Sequence, residues 1–416
     1  MLKMAFLPYL ILIISSLRGL FLLGFSLPPT PYIFFSFTIV GIVLVVLSSK
    51  IFIFMKKPGP LHGYLKLFLI NVIFGIVWCF GEIIIVGFNL ESLRAFLFYF
   101  IIPISVFLFI RAKENYLIAT IYFIGIVVAL SCIIDFIICN LYPGPPIGYE
   151  IKRPILDALV PFGSPRNPSH IGLVSRAHGI TGNYHDSAHI LTMVSVFSVG
   201  KLLFEKKNKI LVLILTIIIL FGLFSTLSTA NIIAAIIGIT IVAFYPSRGI
   251  VIRIIYLSIT GYLIFLFFQG GFFLFDQVSP DLDMDSEKMK QMTQLGTSSY
   301  SNIIISSLLG HEHLSGISDL GKSTEIALFS MITYLGIITI IPLLSLICYP
   351  FYIYLNSNQV IKEKMWVSII TLFTGIITLW HYASLFRSTS IFLFFAFYSM
   401  VIKTYSERKF HLWNYI

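Results

Sequence analysis

Apolar residues along this chain form long unbroken runs, with few of the polar interruptions that mark an amphipathic helix or strand. Runs of about 20 apolar residues match the length that a helix needs to cross a lipid bilayer. Windows of this length predict about twelve transmembrane helices. The predicted spans are 4–25, 31–54, 64–88, 92–111, 116–140, 187–204, 209–226, 229–245, 250–275, 324–348, 365–385 and 388–404. The pattern therefore predicts an all-α, polytopic integral membrane protein with a single transmembrane domain over residues 1–416.

Polar connections between the predicted spans fall into two alternating sets, and one set contains most of the 28 Lys and Arg residues. Positive residues are concentrated in the cytoplasmic loops of membrane proteins. With the termini included, this set comprises Lys3, Lys50, Lys56, Lys57, Lys66, Arg111, Lys113, Lys201, Lys206, Lys207, Lys209, Arg248, Arg253, Lys362, Lys364, Lys403, Arg408 and Lys409. The distribution predicts that both termini lie in the cytoplasm.

Two long connections, 141–186 and 276–323, belong to the other set and are predicted to be outward-facing loops. The first is rich in Pro and Gly, which predicts an ordered but non-helical excursion. The second contains an apolar stretch at 303–309, which is expected to lie as a helix along the membrane surface. The longest polar segments thus face outward, and we expect the function to reside there.

Composition agrees with a membrane protein, since 58% of the residues are hydrophobic and 11% are charged, against about 25% charged residues in soluble domains. The net charge of +10 comes from the short loops. Because no basic patch is interleaved with stacking aromatics outside the membrane, the chain is not expected to bind nucleic acid. Four cysteines lie in or beside apolar runs, where they are expected to act as small hydrophobic side chains without a disulfide. No cleavage site follows the first apolar run, so the first span is expected to remain uncleaved.

Ionisable residues within or beside the spans share one predicted depth, just beneath the outer surface. They are Arg18, Glu82, Glu91, Arg94, Asp135, Arg176, Asp186, Glu325 and Arg387. An ionisable group inside a span costs at least about 2.5–3.5 kcal/mol and is therefore a candidate for function. Four arginines on the outer side also oppose the positive-inside rule. An anionic ligand would account for them, and a diphosphate suits the planar guanidinium. The alternative is that each arginine extends to the outer lipid headgroups.

Histidine spacing raises the question of a metal site. His185 and His189 are one helical turn apart, and His311 and His313 flank Glu312. Zinc sites use such spacings, but no acidic third ligand stands at a fixed offset here. The preferred interpretation is that these histidines bind loop backbone or substrate hydroxyls and that the protein needs no metal. The sequence also lacks a nucleophile elbow, a phosphate-cradling glycine loop and a dinucleotide fingerprint.

Three stretches between residues 174 and 340 resemble the bacterial O-antigen polymerases and ligases of the Wzy/WaaL type. The first, "VSRAHGITGNYHDSAHI" at 174–190, contains Arg176, Gly179, Gly182, Asn183 and Ala188. The second is "STLSTANIIAAIIGI" at 225–239. The third is "LLGHEHLSG" followed by "STEIALFSMITYLGIIT", in which Gly336 and Thr339 match the helix that follows the family's large outer loop.

Two positions depart from the family pattern. Glu325 occupies the position of the family's histidine, and Thr229 stands where many ligases have an arginine in a short outer turn. The first departure favours a polymerase over a ligase. The second leaves the diphosphate one arginine short, and Arg94, Arg18 or Arg387 would replace it.

The resemblance implies a fold similar to the GT-C-like membrane glycosyltransferases, in the bacterial cytoplasmic membrane, with an active site facing the periplasm or the cell exterior. It implies a glycosyltransferase, free of metal and cofactor, that polymerises undecaprenyl-diphosphate-linked glycan repeats into O-antigen or capsule-like polysaccharide. The donor and the acceptor are then both lipid-linked glycans, and a chain-length regulator is a further candidate partner.

The candidate residues are assigned roles on this basis. Arg176, Arg94, Arg18 and Arg387 would bind the diphosphate, and Glu325 would act as general base on the acceptor hydroxyl, with inversion at the anomeric carbon. An acid in the first turn of a helix is also stabilised by the helix dipole, so capping is the alternative for Glu325. The acceptor-sugar contacts would come from Asp186, His185, Asn183, His313 and Asp319.

Three rival functions remain open from the sequence. A ligase that transfers finished glycan to a different acceptor is the nearest. A lipid-linked oligosaccharide flippase should place charge across the bilayer midplane to serve both faces, whereas the charge here is confined to one depth. A receptor or scaffold without chemistry is the third.

Overall fold

The computed structural model describes residues 6–17, 59–87, 90–144, 147–151, 170–171, 174–181, 183–204, 208–244, 331–332, 334–378 and 390–410. Within this part of the chain almost every element is a helix, and one hairpin of two-residue strands is the exception. The predicted spans 31–54 and 250–275 and the predicted outer loop 276–323 lie outside the described residues.

Besides short helical pieces at 147–151, 331–332 and 334–335, eleven α-helices run through the described residues. They are α1 (Leu7–Ser16), α2 (Pro60–Val86), α3 (Leu90–Phe96), α4 (Ser105–Phe109), α5 (Glu114–Asn140), α6 (Tyr184–Phe204), α7 (Lys209–Ser225), α8 (Thr229–Ala243), α9 (Ile337–Leu355), α10 (Gln359–Ile377) and α11 (Ile391–Phe410). The hairpin pairs β1 (His170–Ile171) with β2 (Val174–Ser175) in antiparallel register.

Helix length and apolarity confirm the all-α membrane character of the chain. Four of the described helices, α2, α5, α6 and α9, are long and apolar enough to cross a membrane. Several shorter described helices, including α1, α7 and α8, are also apolar. The count of twelve spans and the cytoplasmic location of both termini stay predictions.

The predicted span 92–111 is not a single α-helix. A π-helical turn at Leu97–Ile101 and a 3₁₀ turn at Ile102–Ile104 separate α3 from α4. Pro103 lies inside the 3₁₀ turn. Because proline has no backbone N–H and its ring clashes with the preceding turn, it breaks the regular hydrogen-bond ladder.

Three further boundaries differ from the prediction. The span predicted at 324–348 is interrupted at Gly336, whose φ of 78° lies in the left-handed region, and α9 continues to Leu355. The span predicted at 365–385 begins earlier, because the Asn358 side chain accepts the Ile361 N–H and caps α10 at Gln359. The last helix, predicted to end at 404, extends to Phe410. Hydropathy windows end where polar residues begin, whereas helices continue through polar residues into the headgroup layer.

The outer connection predicted at 141–186 is partly helical, contrary to the prediction. Residues 147–151 form a helical turn, Gly179–Thr181 form a 3₁₀ turn, and α6 begins at Tyr184. Polar side chains stabilise the turn at Gly179–Thr181 and the start of α6.

Helix α6 lies at the centre of the bundle. Within its most apolar 18 residues 72% are buried, against 28% for α2. It packs against α5, α7, α8 and α10. Small residues permit close approach between these helices, as is usual in membranes. A Cβ added at Gly222 of α7 would lie 2.5 Å from the Ala129 Cα of α5.

Replacing Gly222 with valine should therefore force α5 and α7 apart. We expect the free energy of unfolding in detergent to fall by about 1–3 kcal/mol, the usual cost of overpacking. Thermal unfolding followed by intrinsic fluorescence measures the change. Ile217→Val on the exposed face of the same helix is the control and should unfold like the unmodified protein. An unchanged transition in Gly222→Val would show that this crossing does not limit stability.

Contacts between the helix ends define two ends of the bundle. At the first, Lys403 Nζ donates to the Ala112 carbonyl at 2.8 Å and the Tyr349 hydroxyl donates to the Pro60 carbonyl at 2.8 Å. We call this the basic end, because the described Lys and Arg residues other than Arg94 and Arg176 belong to it. They are Lys66, Arg111, Lys113, Lys201, Lys209, Lys362, Lys364, Lys403, Arg408 and Lys409. We call the other the hairpin end, since β1 and β2 lie there.

Candidate functional site

The segment 174–181 lies across the helix termini at the hairpin end. Asn140, the last residue of α5, binds Ser175 through both amide atoms: its Nδ2 donates to the Ser175 carbonyl at 2.9 Å and its Oδ1 accepts the Ser175 N–H at 2.7 Å. The Ala177 N–H donates to the carbonyl of Ser225, which ends α7, at 3.1 Å. Two helix ends thus fix the backbone on both sides of Arg176.

Asp135 of α5 holds the turn that follows. Its Oδ2 accepts the backbone N–H of His178 at 2.7 Å and that of Gly179 at 3.1 Å. Gly179 has φ of 59°, and a Cβ there would lie 2.7 Å from the Cys132 Sγ. Glycine suits this position because the backbone is left-handed and close to α5. A partly buried carboxylate therefore positions the chain between Arg176 and α6.

Side-chain hydrogen bonds to backbone groups stabilise the start of α6. Asn183 Oδ1 accepts the His185 N–H at 2.9 Å and caps the helix. The Ser187 hydroxyl donates to the His178 carbonyl at 2.7 Å. The Thr181 hydroxyl donates to the Asn183 carbonyl at 2.8 Å. The first turn of α6 and the segment before it form one hydrogen-bonded unit.

Arg176 lies against an aromatic group at the N-terminus of α6. Its Nη1 donates to the Tyr184 hydroxyl at 2.7 Å, and its guanidinium carbon lies 4.6 Å from the centre of the Tyr184 ring. His178 packs edge-on against Tyr184 at 5.7 Å between ring centres, and His185 lies 3.9 Å from Tyr184 on the same measure. We call Arg176, His178, Tyr184 and His185 the Arg176 group. It places a half-buried cation beside a helix N-terminus, where both attract anions.

A second polar layer lies beneath the Arg176 group, inside the bundle. The Asp186 side chain is 1% exposed and the His189 side chain is fully buried. His189 Nε2 lies 3.2 Å from the carbonyl of Gly375 in α10, and Asp186 interacts electrostatically with His189. Asn183 and His185 are partly exposed, whereas Asp186 faces the interior. Of the three predicted acceptor contacts that the structure describes, Asn183 and His185 are thus within reach of a ligand at the surface, whereas Asp186 is not.

The remaining predicted site residues are only partly within the structure. Arg94 lies in α3, whose first turn is tied to the end of α2 by a 3.2 Å hydrogen bond from the Ser92 hydroxyl to the buried Glu82 carboxylate. This brings Arg94 to the hairpin end, although its side chain lies outside the described atoms. Five residues fall outside the described ranges: Arg18, His313, Asp319, Glu325 and Arg387.

The structure also adds residues that the sequence did not assign. Asp135 stood out by its depth in an apolar run, but its role as an anchor depends on a contact with a segment 43 residues away. Asn140 and Tyr184 gave no signal beyond their position at a helix end. Within the described ranges, no cluster of three or more His, Cys, Asp and Glu side chains has the arrangement of a metal site.

Replacing Asp135 with asparagine should loosen the segment that carries Arg176. An amide has half the acceptor capacity of a carboxylate and brings two hydrogens toward the His178 and Gly179 N–H donors. We expect the peptide covering 174–183 to exchange its amide hydrogens about tenfold faster, consistent with the loss of a charge-assisted bond of about 1.5–3 kcal/mol. Hydrogen–deuterium exchange followed by mass spectrometry measures this. Glu114→Gln, at the other end of α5, is the control, and equal exchange in both variants would contradict the anchoring role.

Comparison of the chain with protein-family models, with curated proteins and with solved structures gave no match. The resemblance to O-antigen polymerases and ligases therefore stays a prediction from the sequence motifs.

Proposed function

We propose that this protein is a glycosyltransferase of the bacterial cytoplasmic membrane that polymerises undecaprenyl-diphosphate-linked glycan repeats on the outer face. The observation that carries the proposal is the Arg176 group, in which a half-buried guanidinium stands beside the capped N-terminus of α6. A membrane-embedded cation at a helix N-terminus is a site for a phosphorylated, lipid-anchored substrate.

The charge distribution supports the proposed orientation. Described lysines and arginines cluster at the basic end, apart from Arg94 and Arg176 at the hairpin end. By the positive-inside rule the basic end would face the cytoplasm, and the hairpin end would face outward. The Arg176 group would then meet a lipid-linked glycan in the outer leaflet, with the lipid tail among the helices.

The proposed reaction is an inverting transfer. Glu325 accepts the proton of an acceptor hydroxyl, and that oxygen forms a bond to the anomeric carbon of the donor. The bond between the anomeric carbon and the diphosphate oxygen breaks, and its electron pair leaves with undecaprenyl diphosphate. Arg176, with Arg94, Arg18 and Arg387, stabilises the negative charge that develops on this leaving group. The acceptor sugar contacts Asn183, His185, His313 and Asp319, and Asp186 supports this layer from within the bundle.

Purified protein with a lipid-linked repeat in detergent tests the proposal, with the products separated on a gel. A ladder of increasing length is the expected result. A single shifted band on a second acceptor would instead identify a ligase. Unchanged substrate would contradict glycosyl transfer, and movement of the same lipid across proteoliposome bilayers would then identify a flippase.

A further inference from the structure

A groove of about 520 Å³ lies between α2 and α9 toward the basic end. Its volume is within the range of roughly 300–1,000 Å³ that small-molecule sites occupy. Gly63, Lys66 and Ile70 line it from α2, and Ser345, Tyr349 and Tyr352 line it from α9. Positions three, four and seven apart share one helix face, so the groove follows both helices for about two turns.

Close packing at one end shapes the groove. The Tyr349 hydroxyl donates to the Pro60 carbonyl at 2.8 Å, and its ring passes so close to Gly63 that a Cβ there would overlap the hydroxyl oxygen. Tyr352 stacks beside Tyr349 with ring centres 6.1 Å apart and is 63% exposed. Two aromatic rings with polar tips thus stand at the basic end, as tyrosines do at the level of lipid headgroups.

Lys66 gives the groove its charge. It is exposed, and none of the described acidic side chains forms an ion pair with it. Its position six residues into α2 places its Cα about 9 Å from the first residue of the helix. A lysine at this depth extends its ammonium toward the headgroup layer while its methylene stem lies along apolar surface. Toward the membrane interior the groove is lined by Ile70, which is 43% exposed, and by Ser345, whose hydroxyl donates to the Ile341 carbonyl within its own helix.

We propose that this groove binds one anionic phospholipid, with the phosphate at Lys66 and the Tyr352 hydroxyl and one acyl chain along Ile70 and Ser345. Charge complementarity selects an anionic over a zwitterionic headgroup. The exposed apolar face of α2, which includes Ile73, Val77 and Ile84, continues the groove with surface that lipid covers. The site is at the end of the bundle opposite the Arg176 group and does not depend on the proposed glycosyl transfer.

Native mass spectrometry of the full chain in detergent, titrated with phosphatidylglycerol or phosphatidylcholine, tests the proposal. We expect one phosphatidylglycerol to bind more tightly than the rest, and Lys66→Gln to weaken this binding about fivefold, as the loss of one basic residue near an anionic surface predicts. Lys66→Arg should restore it. Lys209→Gln removes an exposed lysine at the same end but outside the groove and should leave binding unchanged.

Photo-crosslinking locates the lipid independently. A phosphatidylglycerol with a diazirine in one acyl chain should label peptides that contain Ile70 and Ser345, and Ile70→Trp, which fills the groove, should reduce this labelling. Equal affinity of unmodified protein and Lys66→Gln for phosphatidylglycerol would overturn the proposal. Equal labelling of these peptides by a phosphatidylcholine that carries the same diazirine would also overturn it. Both readouts are independent of polymer formation, so failure here leaves the proposed function intact.

Discussion

Replacing Arg176 with lysine should slow polymer formation by about 100-fold, the lower range for loss of one preorganised donor to a developing anion. Lysine keeps the positive charge but lacks the planar fork that binds two phosphate oxygens at once. Its donors also all lie on one nitrogen, which would have to serve both the Tyr184 hydroxyl, now bonded by Nη1 at 2.7 Å, and the phosphate. The measurement is the initial rate of ladder formation from purified protein at saturating lipid-linked donor.

Tyr184→Phe is the matched control for this prediction. It removes the hydroxyl that accepts from Arg176 but keeps the ring over which the guanidinium lies at 4.6 Å. We expect a loss of less than about tenfold, since a neutral hydrogen bond contributes about 0.5–1.5 kcal/mol. A full rate in Arg176→Lys would contradict two-point binding of the diphosphate by Arg176.

Replacing Glu325 with glutamine should have the second large effect, a fall in the rate of roughly 100-fold or more, because general base catalysis contributes about 10²–10⁴-fold. Glutamine keeps the shape of the side chain and removes the proton acceptor. Donor binding should persist, so the Km for the lipid-linked repeat should change little. Single-turnover assays that follow release of undecaprenyl diphosphate separate the chemical step from binding.

The capping alternative for Glu325 predicts a different outcome. An acid in the first turn of a helix adds about 0.3–1 kcal/mol through the helix dipole. Glu325→Gln would then lower the unfolding temperature slightly and leave the rate unchanged. Glu325→Asp is the companion variant, since it keeps the charge for the dipole and shortens the reach of the base by one methylene. A slow but measurable rate in Glu325→Asp with normal stability would support catalysis.

Hydropathy predicts helices well where polar residues bound the apolar run closely. The span predicted at 116–140 appears as Glu114–Asn140, because Lys113 and Asn140 stand at its two ends. The break between α3 and α4 was not predicted, since apolarity does not report backbone geometry. Pro103 was the available signal. Gly336 was likewise visible in the sequence, but a glycine within an apolar run does not show which φ it adopts.

The candidate site likewise contains residues that the sequence identified and residues that it did not. Arg176 and Tyr184 are eight residues apart, so one short motif contains the arginine, the asparagine cap and the histidines. The anchors Asp135 and Asn140 act on residues 43 and 35 positions away. Only packing of α5 against the start of α6 brings them there. Tertiary contacts of this kind produce no periodic pattern, so they cannot be predicted from a single sequence.

The burial of α6 has a consequence for biogenesis. It is the least apolar of the four described membrane-length helices, yet the most enclosed. Asp186 and His189 near its start make partition of α6 alone from the translocon into lipid unfavourable. We therefore expect α6 to integrate more efficiently when α7 and α8 follow it and can shield it beside α5. Integration of α6 should then depend on the helices that follow it in the chain.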